Sequence, residues 1–356
     1  FSNLIVCRHD GILLHRLSCD GVMLEKLEGR RPRSFASVLG EGVTGDERSE
    51  RTTGILRAFC PDVLAELLLH LEQHFDPEVL LAEYVFMTRP FPLFRPTLRK
   101  VIDTIDVFSN KPRKVEDYGI EDAFTLAGSE ETVLLKRADL LIAIQPDEAA
   151  DLRLLAPRVP VVSVGVDFDI ADPVPARTVA PVILLVASDN KMNVKGLKDF
   201  LRFAWPLVRR DVPDAELRVV GSVGETAEVS SPGIRILGRV DDVSADYAEA
   251  RVVINPAVAG TGLKIKTVEA LCHFRPIVLW PSGVEGVDPQ ARKMCHVAND
   301  WFDFAHRVIA LALSQEMTQE MNQENCQDVA QARQELSRHF APDCVYAPLA
   351  EALNTP

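Results

Sequence analysis

The chain has 356 residues, a net charge of −13, 47% hydrophobic and 26% charged residues. At roughly 100–200 residues per domain this predicts two domains or one large one, and the apolar content excludes a disordered or fibrous chain. The acidic balance and the 6% aromatic content disfavour a nucleic-acid partner, because phosphate contacts need a basic surface and base stacking needs aromatic rings.

In chain order, residues 1–46 show little periodicity. Gly40, Gly42 and Gly45 make only a weak match to a dinucleotide fingerprint, since no convincing strand precedes them. A helix is expected within Arg48–Leu71. Short Val/Ile/Leu runs then predict strands at Val79–Tyr84, Leu140–Ile144, Val161–Val164, Val182–Val186, Leu217–Val220, Val252–Ile254 and Ile277–Leu279. They are continuously apolar and alternate with helix-period segments, the pattern of a parallel α/β sheet covered on both faces. Asp169–Pro181 breaks this rhythm with three prolines and reads as a linker. Trp301–Leu313 and Gln327–Leu353 are helical in pattern.

The seven cysteines are scattered, with no zinc spacing, and predict reduced thiols in a cytoplasmic protein without a bound metal. No apolar run reaches the roughly 18 residues of a membrane span. Local basicity is concentrated between Arg89 and Lys114, where seven basic residues face only Asp103 and Asp106. Phe86, Phe91 and Phe94 interleave with arginine and proline there, so residues 86–114 are expected to form an exposed loop that meets anionic lipid peripherally. Packing of the phenylalanines into a core is the alternative.

The most informative stretch is Val252–Leu271. A strand ends at Asn255-Pro256, a small-residue loop carries Gly260, Thr261 and Gly262, and a helix starting near Gly262 runs to Cys272. Lys264 and Lys266 then occupy the first turn of that helix. Cations there oppose the helix dipole by a few tenths to about 1 kcal/mol each, unless an anion binds at that end. Glycine, free backbone N–H groups and lysine charge together make a phosphate site, and Glu269 on the same helix is placed to hold ribose hydroxyls. Spacing alone is equally compatible with a solvated helix face.

Gly262-Leu263-Lys264-Ile265-Lys266-Thr267-Val268-Glu269-Ala270-Leu271, followed by Arg275-Pro276-Ile277-Val278, resembles the nucleotide-sugar site of GT-B glycosyltransferases, specifically the family-4-like enzymes (glycosyl transferases group 1). Leu184–Leu197, Trp205–Val208, Val212–Ser222 and Gly233–Asp241 are similar to the same family, as are Asp103–Ser109, Ala138–Gln145 and Val164–Asp167. The resemblance implies an α/β GT-B fold of two Rossmann-like domains with parallel sheets facing across a cleft. The implied division is an acceptor-side domain at 1–168, the linker at 169–181, a nucleotide-sugar domain at 182–335, and a C-terminal helix at 336–356 packing back toward the first domain. It further implies a retaining, metal-independent transfer from a UDP-, GDP- or dTDP-sugar to a glycan or lipid-linked acceptor, as in polysaccharide biosynthesis.

Carried onto this chain, Lys264 and Lys266 stabilise the leaving diphosphate, with Lys191 and Lys195 after the Val182–Val186 strand. Glu269, Gly262, Leu263, Thr261 and Gly221 contact the donor, and Arg239 with Val240 flanks the base. Asp103 and Asp106 serve as base or acceptor-orienting groups; helix capping and turn formation are the alternative. Thr261 stands where the family usually has a glutamate, and Ile105 where related sequences have a histidine. These departures motivate a second expectation, a catalytically weak nucleotide-sugar-binding module of a larger assembly.

Overall fold

The computed structural model describes residues 3–6, 13–18, 21–26, 50–110, 126–172, 180–227, 232–257, 264–285, 287, 292, 295–314 and 334–354. The chain divides into two compact units. The first holds Phe1–Ser109, Phe124–Ala143 and Ala149–Val162, and the second the remainder, including Ile144–Glu148 and Ser163–Pro356.

In the first unit, β1 (Asn3–Val6), β2 (Leu13–Ser18) and β3 (Gly21–Lys26) form an antiparallel three-stranded sheet. The sequence showed no strand signal here, because charged residues interrupt these short runs. Helices Glu50–Phe59 and Asp62–Phe75 lead into a separate sheet ordered β4-β5-β6-β7: Val79–Glu83, Arg99–Asp103, Leu140–Ala143 and Val161–Ser163. β4, β5 and β6 run parallel.

The segment expected to be a lipid-facing loop belongs instead to this unit's core. Phe86, Phe91 and Phe94 are buried against Leu98, Ile102, Phe108 and Leu141. Prolines do deny it a regular helix, leaving 3-10 turns at Val85–Thr88 and Phe91–Leu93. Its cations are engaged as well. Arg89 donates to the Cys60 carbonyl at 2.9 Å and Asp62 at 2.5 Å, Arg95 pairs with Asp76, and the Lys100 Nζ donates to the Leu98 carbonyl at 2.9 Å. Burying three phenylalanines stabilises the unit by about 1.5–3 kcal/mol each, more than peripheral charge attraction to a membrane would return. Lys111, Arg113 and Lys114 lie outside the described residues.

The second unit is built on a six-stranded sheet ordered β10-β9-β8-β11-β12-β13. Its strands are β8 (Val182–Val186), β9 (Glu216–Val220), β10 (Ile234–Gly238), β11 (Ala250–Asn255), β12 (Ile277–Leu279) and β13 (Cys295–Val297), and every neighbouring pair is parallel. Both faces are covered, as the continuous apolar runs predict. Ile183, Leu185, Val252 and Ile254 pack with helices Lys191–Phe203, Trp205–Asp211 and Trp301–Leu313, while Leu184, Val253, Ile277 and Leu279 pack with Tyr247 and Ala270. Of the strands without a clear apolar run, β10 and β13 are the sheet edges, where Arg235 is exposed and His296 half-exposed.

The helix Ile265–Cys272 is gripped from behind by distant chain. Val268, Leu271, Cys272 and Phe274 cluster with Leu336 and Phe340, with Phe168 and Ile170 packed on them. The Phe168 N–H donates to the Phe340 carbonyl and the Ala171 N–H to the Cys272 carbonyl, both at 3.0 Å. The Tyr346 hydroxyl of helix Pro342–Asn354 donates to Asp167 at 2.5 Å. Among the described residues no helix is long and apolar enough to cross a membrane.

Arg275, which follows the helix Ile265–Cys272, is 2% exposed. It donates from Nε to the Tyr247 carbonyl at 2.7 Å and from its terminal nitrogen to the Ala248 carbonyl at 2.9 Å. These carbonyls lie in the last turn of helix Ser244–Glu249, where a cation also meets the negative end of the helix dipole. Burial pulls the guanidinium down to about 10, so it remains charged at neutral pH. Arg275→Met removes the guanidinium donors from both carbonyls, but the Tyr247 carbonyl keeps the Ala250 N–H, so with one group left stranded the expected loss is about 1–3 kcal/mol. Urea denaturation checks this; a loss under about 1 kcal/mol contradicts it.

Candidate functional site

Strand order reverses between β8 and β11. The chain leaves β8 toward β9 and β10, then returns to place β11 on the other side of β8. Loops after these two neighbours diverge, and open parallel sheets bind ligands at such a point, beyond the carboxyl ends of the strands.

Missing side chains hold the two sides together. On Gly196 of the helix after β8, a Cβ would lie 2.6 Å from the Pro256 carbonyl oxygen and 2.8 Å from the Ala257 nitrogen. That helix therefore rests directly on the chain leaving β11. Gly221, at φ +93°, closes the end of β9 in the same way: a Cβ there would sit 2.2 Å from the Ala187 carbonyl oxygen. Ser222 Oγ donates to Asp189 Oδ1 and accepts from the Asp189 N–H, both at 3.1 Å. Asn190 caps the Lys191–Phe203 helix, its Oδ1 accepting from the Asn193 N–H at 2.9 Å. Lys191 is exposed in the first turn, and Lys195 pairs with Asp199 at 2.6 Å.

Beyond β11, Asn255 is 6% exposed, and among the described residues no donor meets its Oδ1. Thr261, Gly262 and Leu263 lie outside the described residues. The helix starts at Ile265, later than the sequence suggests, so Lys264 is the cap residue and only Lys266 lies in the first turn. The Lys264 carbonyl accepts from the Thr267 and Val268 N–H groups at 2.8 and 3.1 Å, and Lys264 itself is 9% exposed. Burial, assisted by the neighbouring Lys264 charge, lowers the Lys266 ammonium to about 8, with Glu269 pulling the other way. Two largely desolvated cations at a helix N-terminus form a strongly anion-attracting end.

Glu269 lies one turn on from Lys266. Its Oε2 accepts from the Tyr247 hydroxyl at 2.8 Å. Burial raises its carboxyl above the ordinary range, while the Tyr247 donor and the Lys266 charge oppose that rise. The Tyr247 ring is fully buried and stacks on His273, with centroids 4.3 Å apart and planes 2° from parallel. His273 is the residue that ends the helix, its backbone N–H donating to the Glu269 carbonyl at 3.1 Å while its ring lies on Tyr247. Arg239 and Val240 are exposed just past β10, whose last residue, Gly238, adopts φ +67°. The sequence reading missed Tyr247, Arg275 and the packing role of Gly196. Tyr247 lies in a polar stretch with no periodicity to mark it, and Gly196 is distinguished only by the backbone it touches.

The first unit carries the remaining candidates. Glu83 and Asp103 end neighbouring strands in direct register, β4 against β5. Burial, with the Glu83 charge adding to it, raises the Asp103 carboxyl to about 6, although the Ile105 N–H donates to it. Tyr84 and Ile105 follow these strands at φ +66° and +59°. A β-branched residue in that region is strained by about 1–3 kcal/mol. Buried Glu131 braces the turn by accepting from the Phe108 and Ser109 N–H groups at 2.8 Å each. Asp103 and Asp106 thus share one turn at the carboxyl end of β5, an inner strand paired with β4 on one side and β6 on the other. Among the described residues no group of three or more His, Cys, Asp or Glu could hold a metal ion.

Residues 180–314 match the family described as glycosyl transferases group 1, the family that the motif resembles. Solved structures agree on the fold. TarM of S. aureus, solved as a mutant with fondaparinux, α-GlcNAc-glycerol and UDP, superposes at a TM-score of 0.63 and 11% identity, covering 83% of this chain and 59% of TarM. A sucrose-phosphate synthase from Thermosynechococcus elongatus gives 0.64 at 13% identity, over 83% of this chain and 78% of that one. HepE of Anabaena, solved with UDP and glucose, gives 0.59 at 12% identity over 82% and 81%. The fold is that of GT-B glycosyltransferases, and the chain spans about 59% of TarM's length. No curated protein sequence matches the chain.

Asp103 carries a stability signature. Its folded pKa of about 6 exceeds the ordinary 3.8, so its contribution is full below about pH 4 and is lost as pH rises through 6. Asp103→Asn, which cannot ionise, is expected to match the parent near pH 4 and to exceed it by about 1–3 kcal/mol above pH 7. Denaturant midpoints across that range test it; equal midpoints at pH 7 would refute it.

Proposed function

We propose that the protein is a glycosyltransferase that moves a sugar from a nucleoside diphosphate sugar, of the UDP class, to a glycan or glycolipid acceptor. One observation carries this reading: Lys264, Lys266 and Glu269 gather at the start of the helix after β11, beside the reversal of strand order. The group 1 match over residues 180–314 and the UDP in the TarM and HepE structures support it.

In this mechanism the diphosphate lies against the N-terminal end of that helix. Lys264 and Lys266 neutralise charge as it builds on the leaving group, so the stabilisation grows toward the transition state. Glu269 accepts from ribose hydroxyls and fixes the register of the donor. Thr261, Gly262 and Leu263 line the diphosphate and sugar, Lys191 and Gly221 border the strand ends, and Arg239 and Val240 flank the base. Lys195 acts once it is released from Asp199. Asp103 and Asp106 orient the acceptor hydroxyl; the raised pKa of Asp103 makes it a proton acceptor only above about pH 6. The transfer proceeds with retention and without a metal, the lysines supplying the positive charge. A second reading, a catalytically weak nucleotide-sugar-binding module of a larger assembly, rests on Ile105, whose side chain has no polar atom where related sequences carry a histidine.

Lys264→Ala and Lys266→Ala are each expected to lower transfer from a UDP-sugar by about two to four orders of magnitude, the scale of a lost charge-stabilising donor. Full turnover in both removes the diphosphate role, and binding without turnover by the parent, across UDP-, GDP-, dTDP- and ADP-sugars, favours the module. UDP affinity should hold up to about pH 8 and then fall by up to about tenfold per pH unit, because Lys266 above its pKa must take up a proton to meet the anion. Calorimetry with Lys266→Met should show that decline abolished. Glu269→Gln keeps the shape but weakens a charge-assisted bond of about 1.5–3 kcal/mol, so UDP should bind at least about tenfold more weakly. Parent-like affinity in that variant excludes the ribose role.

A further inference from the structure

Tyr247 belongs to the helix Ser244–Glu249 that precedes β11, and Glu269 to the helix that follows it. The two side chains meet at 2.8 Å, the phenol donating to Oε2. Among the described residues no donor reaches the other carboxylate oxygen, Oε1. A glutamate carboxylate is loosely held about its last torsion, where the energy wells are broad and two-fold. A single strong bond to one oxygen removes that freedom and sets the plane in which the second oxygen lies.

The donor is itself immobilised. The ring is fully buried and stacked on His273 at 4.3 Å, and the Tyr247 carbonyl is tied to the buried Arg275 at 2.7 Å. The charged or titratable groups that act on this pair are Lys266, from the first turn of the Glu269 helix, and Cys272, from its last turn. Neither supplies a second fixed donor to the carboxylate. Among the described residues the hydroxyl of Tyr247 is therefore the one rigid constraint on how Glu269 presents itself.

Resting on the ribose role proposed for Glu269, we infer that Tyr247 is a positioning residue for sugar recognition in the nucleotide. By holding Oε2 it aims Oε1 at a single ribose hydroxyl, and so makes the site discriminate ribonucleotides from their deoxy analogues. A buried phenol also needs a partner on stability grounds alone. A purely structural role, however, would affect every nucleotide equally, whereas a positioning role changes the ratio between them.

The test is calorimetric titration of the full chain with UDP, 2′-deoxy-UDP and 3′-deoxy-UDP. The parent is expected to prefer UDP over at least one analogue by about tenfold or more, the scale of a hydrogen bond to a charged group. Tyr247→Phe, which keeps the ring and its stacking, should lose about tenfold in UDP affinity and bring that ratio close to one. In combination with Glu269→Gln it should bind UDP no more weakly than Glu269→Gln alone, because Tyr247 acts through that carboxylate. If Tyr247→Phe weakens all three ligands by the same factor, or leaves UDP binding intact while Glu269→Gln loses it, the positioning role is overturned and the ribose role stands. If Glu269→Gln binds UDP like the parent, the ribose role falls and the inference with it. Should Tyr247→Phe not fold, 3,5-difluorotyrosine at position 247 nearly preserves shape while altering the donor. A changed UDP-to-deoxy ratio then supports the role, and an unchanged one overturns it.

Discussion

The architecture of the second unit turns on a contact that no side chain makes. Gly196 lies so close to the Pro256 carbonyl that a Cβ would sit 2.6 Å from it. Because of that approach, the helix after β8 rests on the chain leaving β11. The first residues beyond β11, Pro256 and Ala257, are thereby fixed against the helix that follows β8, and Gly221 secures the neighbouring strand end against Ala187 in the same manner. Everything ionic at this end of the sheet is arranged on that rigid backbone frame.

On this frame the electrostatics oppose stability and favour anion binding. Lys264 and Lys266 are largely withdrawn from water at the positive end of a helix and repel one another, which is why the Lys266 ammonium falls to about 8. Such an arrangement persists only because the surrounding structure over-determines it. The outer face of the helix is pinned by Phe168, Ile170, Leu336 and Phe340, so unfavourable charge at its inner end cannot be relieved by movement of the helix. Among the described residues Glu269, tied to Tyr247, is the one opposing charge that acts on Lys266.

The first unit stores its unfavourable terms in backbone and burial. Tyr84 and Ile105 take left-handed conformations at the ends of adjacent strands, and Glu83 faces Asp103 in register. The cost is carried by an aromatic core: Phe86 and Phe108 lie with ring centroids 4.5 Å apart, and buried Glu131 receives two backbone N–H groups of the turn. Strain and like charge in one turn are the physical features that distinguish Asp103 and Asp106 from ordinary turn residues.

By itself the sequence determined the central strands and the helix after β11. Val182–Val186 and Val252–Ile254 are buried on both faces, so their apolar runs are continuous and cannot be read as anything else. Lys264, Lys266 and Glu269 were legible for a similar reason, since one strand, one loop and one helix place them locally. The edge strand β13 and the meander β1–β3 were not legible, because exposed or interrupted strands carry no continuous apolar signal; the edge strand β10 was marked only by the family resemblance of Gly233–Asp241. Tertiary structure alone decided the rest. Phe86, Phe91 and Phe94 look like an exposed amphipathic loop until the core that receives them exists, and Arg89 and Arg95 look free until Asp62 and Asp76 fold beside them. Tyr247 meets Glu269, Arg275 caps a helix 26 residues upstream of it, and Gly196 meets Pro256 across 60 residues, each counted along the sequence. Contacts between residues so far apart leave no period or spacing in the sequence, because they are created when the sheet brings their strands side by side.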